Sequence, residues 1–281
     1  MKIDAHAHGM HAELNDKGRR IPPVVSGWKS TDGSPEAHVR EHNKHGIDKV
    51  LLLDPPNVVF EMKQVFGDFV MPCPQVEMDK SSPAEIASLL DRGAVGIKFI
   101  APMHPYGDNR YLPLYEVVRN YRALAVFHTG NLVHEFFDPG GPLARPDWIT
   151  ITHMRPAELD RITRAFPDLK ILMAHFGNPW WEEAWTVLKS NKNVYADLSG
   201  GTAYMKSMNM WKDLFVPNGT LHEKSVSKLC YAADDSVCHA GYFGYDKFIE
   251  FYERFYEALN LPEDIRQKID RKNIIMLTDR K

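Results

Sequence analysis

Two histidines, His6 and His8, stand two residues apart in the opening run KIDAHAH, directly before Gly9. If Lys2–His8 is a strand, alternation puts Asp4, His6 and His8 on one face and Ile3, Ala5 and Ala7 on the other. Imidazoles so spaced on a rigid strand can converge on one ion, and neutral histidine is the commonest metal ligand. A chance histidine cluster near a solvated terminus is the competing reading. Further polar residues close other apolar runs: Lys98 in GIKFI, His128 in VFHTG, His175 in MAHFG and Asp234 in YAADDS. One histidine ending a strand is usually a core or capping residue. Four histidines and an aspartate repeated at successive strand ends point instead to a common polar site.

Such a site needs a scaffold that aligns strand ends. Strand-like runs are read at 2–8, 48–54, 69–75, 94–100, 123–129, 169–175, 193–199 and 228–234. Most are continuously apolar, as in parallel strands covered on both faces. Between them, SPEAHVREHNKHG (34–46) and SPAEIASLLDRG (82–93) carry a Ser-Pro start and a Gly stop, the punctuation of helices. YLPLYEVVRNYR, RPAELDRITRAF, WWEEAWTVLKS and YDKFIEFYERFYEALN have helical spacing as well. Strands alternating with helices predict right-handed βαβ crossovers and a parallel sheet.

Eight such units in 281 residues predict an α/β fold, a (β/α)8 TIM barrel forming a single domain over 1–281. An open doubly wound sheet fits less well, because no Gly-rich phosphate turn follows the first strand. Long connections at about 9–33, 130–150 and 199–227 all follow strand ends, on the face where such barrels carry their active sites.

Composition narrows the partners. Hydrophobic residues make up 44% and charged residues 25%, ordinary values for a folded globular chain. A net charge of −3 gives no support for a nucleic-acid or anionic-membrane partner. No apolar run approaches the roughly 18 residues that span a bilayer. The polar start argues against a signal peptide, and Cys73, Cys230 and Cys238 form no metal or disulfide pattern, so a cytoplasmic location is expected.

The runs DAHAH, GIKFI, FHTG, FPDLKILMAHFG and YAADDS resemble strand-end motifs of the amidohydrolase superfamily. The likeness is greatest to its amidohydrolase-2 branch, which holds aminocarboxymuconate-semialdehyde decarboxylase, resorcylate-type decarboxylases and lactone-cleaving hydrolases. It runs from Lys2 to the terminal IRQKIDRKNIIMLT. The branch's eighth strand usually reads Gly-Ser-Asp-aromatic-Pro; here it is Ala232-Ala233-Asp234-Asp235-Ser236, and alignment selects Asp234.

The resemblance implies that His6, His8, His128 and Asp234 bind one divalent ion, most often zinc, with manganese or iron(II) as alternatives. Three imidazoles and a carboxylate suit zinc with an open water position. It further implies that Asp234 shuttles a proton and that His175 polarises a carbonyl or holds an oxyanion. Lys98 would bind a substrate carboxylate or phosphate, or, carboxylated, bridge to a second metal. A buried lysine paired with an acid is the plain alternative.

Other residues are weighed beside these. Asp4 lies deeper on the strand and suits a supporting role. His153, Arg155 and Trp180 could contact substrate, or could be loop, helix-start and packing residues. His11, His38, His42 and His45 read as exposed. Tyr204, Met205, Met208, Met210 and Trp211 could form an apolar lid or a homodimer contact. Asp54 and Gln75, at the ends of the second and third runs, offer little toward the richer ligand sets of histidinol-phosphatase-type or TatD-type barrels.

The leading expectation is a metal-dependent hydrolase of a small ester, lactone or amide. A non-oxidative decarboxylase of a small carboxylic acid uses the same residues. A non-catalytic metal-binding protein would not need the carboxylate beside an open metal position. The expected partner is a small carbonyl- or carboxylate-bearing molecule.

Overall fold

A computed structural model describes residues 1–9, 35–132, 149–200, 203–236 and 245–281. The expected connections at 9–33 and 130–150 lie largely outside these residues, as do His11, Cys238 and the side chain of His38. The described chain forms two compact units, Met1–Pro74 with Leu198–Ile275, and Gln75–Asp197 with Met276–Lys281.

The first unit begins with β1 (Lys2–His8), whose interior is buried throughout, followed by α1 (Pro35–Lys44), β2 (Ile47–Leu52), α2 (Pro56–Phe66) and β3 (Val70–Pro72). β1 and β2 run parallel with Asp4 opposite Val50 and Ala7 opposite Leu52. β2 pairs with β3 in the same sense. The run 69–75 does not continue as one strand. Pro72 and Pro74 lack the N–H that a ladder needs, and the next strand, β4 (Gln75–Glu77), belongs to the second unit.

In the second unit β4 is followed by α3 (Pro83–Asp91), β5 (Gly96–Ile100), α4 (Leu112–Asn120), β6 (Leu124–His128), α5 (Ala157–Ala165), β7 (Lys170–Ala174), α6 (Trp181–Ser190) and β8 (Val194–Asp197). Each strand from β5 to β8 pairs in parallel with its predecessor. α3 starts as its sequence predicts: the Ser82 hydroxyl accepts the Glu85 N–H at 3.2 Å, and Pro83 occupies the first turn. The interior is aromatic. Phe99, Tyr115 and Phe127 pack with ring centroids 5.1–5.3 Å apart, and Tyr106 stands edge-on to Phe127 at 5.1 Å. The Tyr106 hydroxyl also lies 2.9 Å from the His128 carbonyl and 3.1 Å from that of Phe99, which fixes the end of β6.

The chain then returns to the first unit through α7 (Met208–Phe215), α8 (Glu223–Val226), β9 (Leu229–Cys230), β10 (Asp235–Ser236), α9 (Tyr245–Ala258) and α10 (Glu263–Gln267). Trp211 on α7 is core rather than lid, edge-on to Phe251 and Phe255 of α9. Met205 is 69% exposed. His42, expected at the surface, is buried on the inner side of α1 with its ring edge-on to Phe69 at 5.1 Å.

The expected eighth strand, 228–234, shrinks to Leu229–Cys230, and the reason is local. The Ala233 N–H is taken by the Asp4 carboxylate at 3.1 Å, and Asp234 adopts a left-handed φ of 61°. Regular pairing with β1 resumes at β10, with Ala7 opposite Asp235 and His8 opposite Ser236. No helix among the described residues is long and apolar enough to cross a membrane.

Candidate metal centre

Within the first unit, alternation along β1 delivers His6 and His8 to one face, and the left-handed turn after β9 brings Asp234 to them. Asp234 Oδ1 lies 3.2 Å from His6 Nε2 and 3.1 Å from His8 Nε2. The backbone locks this placement, because the Asp234 N–H donates to the His6 carbonyl at 2.8 Å. The three donor atoms all fall within 4.8 Å of one another. Asp4 performs the supporting role foreseen for it: its Oδ1 accepts the N–H groups of His6 (3.0 Å) and Ala233 (3.1 Å), tying β1 to the Asp234 turn.

Both imidazoles have their far nitrogens engaged. His6 Nδ1 lies 3.3 Å from the Ser199 hydroxyl, and His8 Nδ1 lies 3.3 Å from Asp54 Oδ1. Nε2 is therefore the inward atom of each ring. Burial by itself would lower the His8 pKa; the carboxylates of Asp54 and Asp234 outweigh it and push the imidazole up to about 10. Two nitrogens and a carboxylate oxygen, aimed at one another, make a donor set that fits a divalent transition metal of the zinc type.

Within the second unit, β6 and β7 end side by side, with His128 opposite Ala174. His175 Nε2 is 3.1 Å from His128 Nδ1, and the rings meet edge-on at 4.5 Å. His128 Nε2 lies 3.0 Å from the Asn131 carbonyl, which accepts only, so the proton belongs on Nε2 and the lone pair on Nδ1. His175 has a left-handed φ of 64°, and its N–H donates to Asp197 Oδ1 at 2.9 Å. Left-handed geometry at a non-glycine residue costs on the order of 1 kcal/mol and clusters at functional sites. His175 and Asp234 share it, each just beyond an apolar run.

The remaining candidates have surroundings of their own. Lys98 is buried within β5, between Gln75 and Val126 in register. His153 Nδ1 lies 3.2 Å from the Pro102 carbonyl. Arg155 is bound by Glu183, with Nε 3.2 Å from Oε2 and a closer contact through Nη2, and its guanidinium stacks 5.1 Å from the Trp180 ring. An arginine already paired with a carboxylate is a weaker anion clamp than a free one. Asp54, Asp197 and Ser199 were not foreseen as contributors. The signal was present for the two aspartates, since each closes an apolar run, DKVLLLD and NVYAD, as the histidines do.

The family model described as Amidohydrolase (Amidohydro_2) matches residues 3–274. The chain belongs to this enzyme family. None of the curated proteins compared with it matches. Solved structures do. An uncharacterized TIM-barrel protein from Bordetella bronchiseptica aligns with a TM-score of 0.67 at 18% identity, over 99% of this amidohydrolase and 98% of that chain. A putative 2-pyrone-4,6-dicarboxylic acid hydrolase from Pseudomonas putida gives 0.63 at 17% identity, over 100% and 98%. A 2,6-dihydroxybenzoate decarboxylase from Rhizobium gives 0.62 at 16%, over 99% and 98%. These likenesses give the amidohydrolase the fold of a TIM-barrel protein, in the α/β class with parallel strands.

Proposed function

We propose that this amidohydrolase is a metal-dependent hydrolase of a small ester, lactone or amide that carries a carboxylate, and that residues 1–281 serve this one activity. The observation that carries the proposal is the meeting of His6 Nε2 and His8 Nε2 at a single oxygen of Asp234. His6, His8 and Asp234 would hold the ion; the family resemblance alone adds His128 as its fourth ligand and His175 as the donor to a developing oxyanion.

When bound, a divalent ion supplies Lewis acidity and lowers the pKa of a coordinated water to about 7. Asp234 is placed to accept a proton and return it to the leaving group. Ser199 and Asp54 keep the two rings aimed.

A second reading is non-oxidative decarboxylation, with Asp234 delivering its proton to carbon. Chain length does not separate the two: the Rhizobium decarboxylase is covered almost end to end, so a compact chain gives no preference for hydrolysis. Two of the three neighbours above, the Pseudomonas putida and Rhizobium proteins, are described by small unsaturated or aromatic carboxylic acids, which favours that substrate class.

Metal analysis of the purified protein, followed by assay of zinc-, manganese- and iron-loaded enzyme on small lactones, amides and aromatic acids, tests the reading. One ion per chain and release of a ring-opened or hydrolysed product are expected. Carbon dioxide release would establish the second reading, and two ions per chain would bring in a carboxylated Lys98. A protein that takes up no ion overturns both.

Metal uptake also carries a pH signature. His8 must be neutral to ligate, yet its folded pKa of about 10 keeps it protonated at neutral pH in the metal-free protein. Zinc binding below pH 10 therefore expels that proton, and affinity rises by about tenfold per pH unit on this account. Calorimetry at pH 7.5 in buffers of different ionisation enthalpy is expected to show at least one proton released per zinc; a count of zero would contradict the assignment of His8.

A further inference from the structure

We infer that Asp54 is the positioning residue of the metal centre, holding the His8 ring so that Nε2 faces the ion; this rests on the proposed metal reading. Asp54 follows β2, and β2 lies beside β1, so its carboxylate arrives at the end of β1 from the neighbouring strand. It is buried at 7% exposure, and its two oxygens are divided between two tasks. Oδ1 lies 3.3 Å from His8 Nδ1, and Oδ2 accepts the N–H of Gly9 in a short contact. The first sets the imidazole's rotation. The second anchors the carboxylate to the backbone of the residue after the one it orients.

This arrangement also accounts for the glycine that follows the histidine pair. A Cβ on Gly9 would stand 3.3 Å from Asp54 Oδ2 and 3.2 Å from Val58 Cγ1. A side chain there would press on the carboxylate and on α2 behind it. His-x-His-Gly with an aspartate closing the next strand is thus one device, built from residues 46 apart in sequence.

The chemistry follows from the tautomer. A carboxylate accepts only, so contact with Asp54 requires the proton on Nδ1 and leaves Nε2 as the metal-binding nitrogen. Ser199 stands in the same relation to His6, at 3.3 Å, but a hydroxyl both donates and accepts and does not select a tautomer. Asp54 alone of the two imposes the choice.

The test uses metal-stripped full-length protein, zinc titrated against a chromophoric chelator, and the cobalt(II)-loaded protein for proton NMR. Corrected for the proton that zinc displaces from His8, D54A is expected to raise the zinc Kd by about 10–100-fold, and D54N, which keeps the shape but loses the charge, by a smaller factor. Cobalt-loaded wild type is expected to show a hyperfine-shifted exchangeable proton from His8 Nδ1, identified by its loss in H8A and broadened in D54A by faster exchange. A zinc Kd within twofold of wild type in both Asp54 variants overturns the inference while leaving the metal centre standing. Weaker binding with an unaltered His8 resonance also overturns it, assigning Asp54 to folding. Failure of the wild type itself to bind zinc or cobalt overturns the metal reading, and this inference with it.

Discussion

Asp234→Asn is expected to lower turnover by about 10³–10⁴-fold on whatever substrate the wild type accepts, near the upper range for loss of a general acid–base. It should do so while leaving much of the metal in place. Asparagine has the same shape, and its amide oxygen can still face His6 and His8. The backbone tolerates it as well: Asp234 sits at φ 61°, where asparagine is among the few side chains accommodated easily. What disappears is the capacity to take up a proton. His128→Ala should behave oppositely if the resemblance assigns it correctly, losing the ion and activity together. Zinc content by emission spectrometry, measured beside the turnover number, separates the two outcomes. A fully active D234N protein would remove Asp234 from proton transfer and would leave the ligand role as its only function.

The residues in that comparison were legible in the sequence to different depths. His6 and His8 could be placed because strand periodicity is two, so spacing alone decides that they share a face. His128, His175 and Asp234 could be found because a polar residue at the end of a buried apolar run is costly unless it has work to do. Asp54 closes its run in the same way, but nothing in spacing separates a carboxylate that orients a ligand from one that caps a strand. Periodicity also does not say which strands adjoin. Asp54 matters because β2 lies beside β1, a fact of pairing and not of spacing. The eighth run departs from its expected length for a related reason. Its length in apolar residues suits a strand, but a side chain from β1, Asp4, captures the N–H that would have continued it. His42 reads as exposed because it stands in a polar stretch, EHNKH, while helical phase alone turns it inward.

Gly130→Ala should destabilise the protein by about 3–5 kcal/mol, in the upper tail of single-residue effects where overpacking and strain at a special φ/ψ fall. Gly130 lies two residues beyond His128 with φ 92°, a conformation that favours glycine. A Cβ built there would stand 2.0 Å from the Asn178 carbonyl oxygen and 2.8 Å from its carbon and nitrogen. That obstacle is main chain, and it is held in place. Asn131 donates to the same Asn178 carbonyl at 2.8 Å, Gly130 itself donates to Met154 at 3.0 Å, and the Thr129 hydroxyl lies 2.5 Å from the Ala174 carbonyl while accepting from Gly177 at 3.0 Å. The turn after β6 and the turn after β7 are laced together by these bonds. Relief of the clash would have to part them, and with them the 3.1 Å contact between His128 and His175. Thermal denaturation of the metal-free variant measures the first effect, and its zinc content relative to wild type measures the second. A G130A protein that melts within 2–3 °C of wild type, an interval worth roughly 1–2 kcal/mol in a chain of this size, would show that the two turns are not in contact as described.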